Sequence, residues 1–131
     1  MKIARTSLLL VLTLFATATQ AASTNVKAAS RFAACEQTAR NYLDAMHGMR
    51  VPQVEIVPVT ALHDDNVGEF MSGEIRVLDS VTDCGVILHE LVHWWQWKHS
   101  GQRDCTETSC WEAREAQAYA IENRWKQSQK D

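Results

Sequence analysis

The four cysteines, Cys35, Cys84, Cys105 and Cys110, constrain this chain more than any other feature. All follow an N-terminal stretch with the order of an export signal: Lys2 and Arg5, then an apolar run from Leu8 to Phe15, then small residues through Ala22. An even number of cysteines in the roughly 110 residues that follow points to two disulfides in an oxidising compartment, secreted or periplasmic. Four cysteines allow three pairings. If Cys84 opens a helix reaching residue 98, a rise of about 1.5 Å per residue puts it roughly 20 Å from the loop beyond, out of disulfide reach. The favoured pairing is Cys35–Cys84 with Cys105–Cys110. Buried free thiols or a zinc knuckle are the alternative, and no close Cys-x-x-Cys pair supports the knuckle.

The 131 residues, 46% apolar and 22% charged, leave room for a signal peptide at 1–22 and one domain at 23–131. The leader's apolar run is too short for a spanning helix and no later segment is longer, so no membrane association is expected once the signal is cleaved. Cleavage removes Lys2 and Arg5 and leaves 11 basic against 16 acidic residues, a net charge of −5. That balance excludes a nucleic-acid binder driven by bulk positive charge. The chemistry has to come from a local site.

Hydrophobic spacing predicts a helix over 30–46, with Phe32, Cys35, Ala39, Tyr42, Leu43 and Met46 on one face. A short strand at 54–57, a polar loop at 61–68 and a half-buried strand at 73–78 follow, enough for a sheet of two or three strands. A second helix is expected over 83–98, capped by Ser80 or Thr82 and stopped at Ser100-Gly101. A third is expected over 110–126, where Ser109-Cys110-Trp111-Glu112 has the form of a capping box. The fold class is α+β: a scaffold helix, a short sheet and two further helices.

The second helix carries His89-Glu90-Leu91-Val92-His93. Histidines four apart lie about 40° apart around the axis and one turn along it, so both imidazoles can reach one ion. Glu90 sits where its carboxylate can approach a water on that ion, the place of a general base. Zinc suits such ligands when one position stays open. The plain alternative is a chance histidine pair on an amphipathic helix.

The third ligand sets the class. His99 gives His89-Glu90-x-x-His93-x-x-Gln96-x-x-His99, the metzincin spacing with Gln96 in place of glycine. A helix that continues through Gln96 turns His99 about 120° from His93, and no methionine follows Met71 to supply a methionine turn. Better candidates are acids of the last helix, with Glu115 ahead of Glu112, and Asp104, Glu107 and Glu122 behind them. Glu112 has a local role in the capping box, and the alanines at 113, 116, 118 and 120 would let two helices approach closely around Glu115.

Followed 22 residues later by Glu115-Ala116-Gln117-Ala118-Tyr119, the His89-Glu90-Leu91-Val92-His93 motif resembles the gluzincin metallopeptidases. The resemblance covers about residues 70 to 125. It implies a zincin-like domain in which His89, His93 and Glu115 bind zinc and Glu90 activates water for peptide-bond hydrolysis. Many relatives have aspartate four residues after the ligand glutamate; this chain has Tyr119 there, and Glu122 or the Tyr119 hydroxyl is the candidate to support a zinc histidine instead. The resemblance also implies an edge strand binding extended peptide by strand addition, and 73–78 is the candidate, with an ordinary sheet strand as the alternative.

Tyr119, Tyr42 and His63 are candidates for stabilising an oxyanion. His47 and His63 otherwise read as exposed loop residues. Among Trp94, Trp95, Trp97, Trp111 and Trp125, core packing is the ordinary expectation, although three within 94–97 cannot all face inward on one helix. The functional expectation is a monomeric zinc peptidase acting on a peptide or protein. The alternative is an exported binding protein with a non-catalytic zinc and a tryptophan contact face.

Overall fold

The structure, a computed structural model, describes residues 4–131, with side chains from Asn25 onward. The export segment expected at 1–22 therefore lies outside the described side chains. In chain order the elements are helix α1 (Ala4–His47), strands β1 (Ile56–Val59), β2 (Gly68–Met71) and β3 (Glu74–Leu78), and helices α2 (Cys84–His99) and α3 (Thr108–Ser128). The class is the expected α+β. Among the described residues no helix is long and apolar enough to cross a membrane.

On α1, Ala28, Phe32, Cys35, Ala39 and Leu43 recur at three- and four-residue steps and are buried against the rest of the core. Met46, expected on that face, is 66% exposed, and Met49 beyond the helix end is buried instead. The chain turns back at Gly48, where the Gly48 and Met49 N–H groups donate to Asp44 and Leu43 carbonyls, so the core face passes to Met49. His47 ends the helix half-buried against Tyr42 rather than lying in an exposed loop. Burial, helped by Arg124, lowers its pKa.

Both expected disulfides are present, Cys35–Cys84 and Cys105–Cys110. They point to an oxidising, extracellular environment. The first ties the C-terminal part of α1 to the first residue of α2. Close by, the Arg31 guanidinium donates to the Val81 and Asp79 carbonyls on the approach to α2. The scaffold helix thus fixes where α2 begins. Closing a 49-residue separation should contribute about 4 kcal/mol through the unfolded chain, against about 2 kcal/mol for the five-residue Cys105–Cys110 loop. Denaturant unfolding of Cys35→Ser/Cys84→Ser should accordingly show roughly twice the loss of Cys105→Ser/Cys110→Ser; equal losses would contradict it.

The sheet has the order β1-β3-β2, with β1 parallel and β2 antiparallel to β3. Ile75 and Val77 of β3 are fully buried, as its alternating pattern requires. The expectation that 73–78 forms an open edge is corrected: β3 is the central strand, with neighbours on both sides. The edge beside α2 is β2, whose first residue falls in the segment expected to be a loop; Gly68-Glu69-Phe70-Met71 lacks the apolar alternation that marks a strand. β1 lies two residues beyond its expected start and includes Pro58, which an edge position tolerates.

Helix α2 runs through the core, with Ile87, Leu88, Leu91 and Val92 fully buried. Its N-cap is Asp83, not Ser80 or Thr82: the carboxylate accepts from the Gly85 N–H at 2.8 Å. Helix α3 starts earlier than expected. Ser109 already lies in its first turn, Glu107 is the N-cap without a side-chain bond, and the capping box does not form. Only Ala118, Ile121, Glu122 and Trp125 of α3 are buried, a narrow stripe at three- and four-residue steps that faces the core. The alanines at 113, 116 and 120 are exposed, so only Ala118 acts as the expected small contact. Of the tryptophans, Trp125 alone is buried, Trp94, Trp95 and Trp97 are half-buried, and Trp111 is 51% exposed.

Candidate metal centre

His89 and His93 stand one turn apart on the buried face of α2, with their Nε2 atoms 3.1 Å apart. Glu115 precedes Ala118 by three residues and continues the α3 stripe towards them. Its Oε1 lies 3.0 Å from His89 Nε2 and in contact with His93 Nε2. Three ligand atoms thus converge from two helices, all within 4.8 Å of one another. Ligands bound at about 2.0–2.1 Å at the corners of a tetrahedron stand about 3.3 Å apart, so the two separations near 3 Å are those of a nearly assembled cage. The group can hold a metal ion.

Hydrogen bonds on the far side of each ring fix which nitrogen is free. Gln96 Nε2 donates to the Arg114 carbonyl and to Gln117 Oε1, each at 2.9 Å. A backbone carbonyl only accepts, so the other Gln96 terminus is the oxygen, and at 2.8 Å it must accept from His93 Nδ1–H. His89 Nδ1 lies 3.0 Å from Glu122 Oε2 and donates to that carboxylate. With both Nδ1 atoms protonated, each imidazole in its neutral form aims its Nε2 lone pair at the same point as the Glu115 oxygen. Three acceptors converging on one point repel one another unless a proton or a metal cation lies between them.

The titration of the rings reflects this crowding. Burial works to lower the His89 pKa, but the bond to Glu122 and the charges of Glu90 and Glu115 prevail and raise it. His93 goes the other way: burial and the His89 charge lower it despite Gln96 and Glu115. Glu122 is held low; burial opposes ionisation, but His89 and Lys126, whose Nζ is 2.7 Å from Glu122 Oε1, outweigh it.

Glu90 is buried beside the two histidines and lines with them a cavity of about 220 Å³. Burial, with Glu115 and Glu122 near, pushes its carboxyl up to about 7 against the opposing pull of His89. The opposite wall is β2. A Cβ on Gly68 would come within 2.9 Å of Glu90 Oε1 and 3.0 Å of Val86, so a side chain there would push the Glu90 carboxylate and Val86 aside. Tyr119 crosses the rim with its ring 4.5 Å from that of His89, and the exposed Trp111 indole stacks on His93 at 5.5 Å and 19°.

Comparisons of the chain with protein-family models, with curated proteins and with solved structures find no match. The reading of the site therefore rests on its own geometry.

Several candidates lie elsewhere. His99 stacks on Trp95 and bonds its carbonyl, so the metzincin spacing does not become a third histidine ligand. Glu112 faces solvent, Glu107 caps α3, and Asp104 accepts from Ser72. Tyr42 packs between Trp125 and His47, while His63 is exposed near Glu69. Of the two candidates to support a zinc histidine, Glu122 and the Tyr119 hydroxyl, Glu122 is the one that bonds His89. In the sequence Gln96 stands out only as a departure from the metzincin spacing; its position three residues after His93, on the same helix face, is the signal for its role. If the group holds a metal ion, replacing Gln96 with leucine should weaken its binding by roughly 10–100-fold while the histidines remain. Competition with a chromophoric chelator measures this, and an unchanged affinity would contradict the locking role.

Proposed function

We propose that this chain is a small zinc-dependent peptidase of gluzincin type, with His89, His93 and Glu115 as zinc ligands and Glu90 as the general base. One observation carries the reading: both imidazoles are fixed from behind by Glu122 and Gln96 so that their free lone pairs meet the Glu115 carboxylate. Two nitrogens and one carboxylate oxygen, with a fourth side facing a cavity, are donors that suit zinc. When bound, zinc polarises a carbonyl group and lowers the pKa of water towards neutrality.

The residues of the chain supply the rest. Glu90, in the same cavity and backed by Gly68, takes a proton from the attacking water and returns it to the leaving amine. The edge strand β2 offers backbone groups to an extended peptide along the same wall, and the Tyr119 hydroxyl at the rim is the candidate to steady the oxyanion. Two disulfides fit export to an oxidising compartment.

Metal analysis of the purified chain tests the reading. We expect one zinc per chain, and a melting temperature that falls when a strong chelator strips it. Free zinc at 100 times the dissociation constant stabilises by about 2.7 kcal/mol. Absence of bound metal together with unchanged melting would overturn it. A second reading, a binding protein with a non-catalytic ion, draws on the exposed Trp111, Tyr119 and Met71 around the cleft. It predicts the same metal content without turnover.

A further inference from the structure

Lys126 sits one turn beyond Glu122 on α3, away from the cavity. Its Nζ lies 2.7 Å from Glu122 Oε1, while the other oxygen of that carboxylate receives His89 Nδ1–H at 3.0 Å. The same ammonium lies 3.3 Å from Asp83 Oδ2, and Asp83 Oδ1 caps α2 through the Gly85 N–H at 2.8 Å. The contacts form a closed ring: the first turn of α2, Asp83, Lys126, Glu122, His89, and back along α2. Gly85 has a place in it, because a Cβ there would come within 2.9 Å of Lys126 Cε and 3.0 Å of Asp83 Oδ1.

We propose that Lys126 is a positioning residue for the metal centre: by holding one oxygen of Glu122, it keeps the other aimed at His89 and fixes the ring that binds the ion. This rests on the metal reading of the site. The two arms of the ammonium differ in weight. Asp83 and Lys126 are half exposed, so their pair is screened and sets position more than energy. Glu122 is 9% exposed, and its Oε1 has little water to replace a lost partner. Without Lys126 the carboxylate turns to satisfy that oxygen and the bond to His89 loosens.

Two effects of opposite sign make the idea decidable. Taking a positive charge away from a cation site should by Coulomb attraction tighten binding, whereas losing the alignment of His89 should weaken it. The charge lies partly in solvent, where screening reduces the first effect, so alignment is expected to win.

Zinc affinity is measured on the full disulfide-bonded chain by competition with a chromophoric chelator. Lys126→Met should weaken it about tenfold and Lys126→Arg should restore most of the loss. In a Glu122→Ala background Lys126→Met should cause no further loss, since the alignment acts through that one carboxylate. Melting of the metal-free variants reports folding separately. An unchanged or tightened affinity in Lys126→Met overturns the proposal, as does an equal loss in the Glu122→Ala background. If the parent chain takes up no zinc, the metal reading fails and this inference with it; a parent that binds zinc while Lys126 is silent removes only the inference.

Discussion

Replacing Glu115 with alanine should lower zinc affinity by more than the roughly 10–100-fold that loss of an outer partner costs, because it removes one of the three proposed ligands. The change leaves two imidazoles from one helix and no anion among the ligands. The side chain is 23% exposed and lies outside the fully buried part of the α3 stripe, so folding of the metal-free chain should hardly change. Glu112→Ala is the matched control: the same residue type on the same helix, three residues earlier and facing solvent, should bind zinc as the parent does. Competition titration of both variants decides the point. Equal affinity for Glu115→Ala and the parent would remove the carboxylate from the ligand set and with it the hydrolase account.

On the proposed peptidase reading, Glu90→Gln should reduce peptide hydrolysis by about 10²–10⁴-fold while zinc content stays at the parental level. The amide nearly matches the carboxylate in size, so it fits against Gly68 and Val86 without displacing β2. It cannot carry the proton from water to the leaving amine. The measurement pairs turnover of a peptide mixture, read by mass spectrometry, with metal analysis of the same sample. Cleavage that survives the substitution would exclude Glu90 as the base; a parent chain that holds zinc and cleaves nothing would favour the binding-protein reading.

How much of the site was legible in advance follows from how local each part is. The histidine pair could be read because helix geometry fixes the angle and rise between residues four apart whatever surrounds them. The disulfides were legible for the same reason, since a helix of known length keeps Cys84 away from Cys105 and Cys110. The α3 start was misplaced because Ser109 and Glu112 satisfy a local rule that the longer helix overrides. The sheet edge was misassigned because a strand's neighbours depend on pairing between distant segments. Nothing in residues 73–78 alone distinguishes a central strand from an edge.

From the chain alone come the α+β class, the two cross-links and a helical turn presenting two imidazoles with a carboxylate between them. Packing selected the partners: Glu115 over Glu112, Glu122 and Gln96 behind the rings, and β2 as the wall against Glu90. Those choices turn on distances of a few ångströms between α2, α3 and the sheet. Such distances are set by how the buried faces interlock, and intervals along the chain do not encode them.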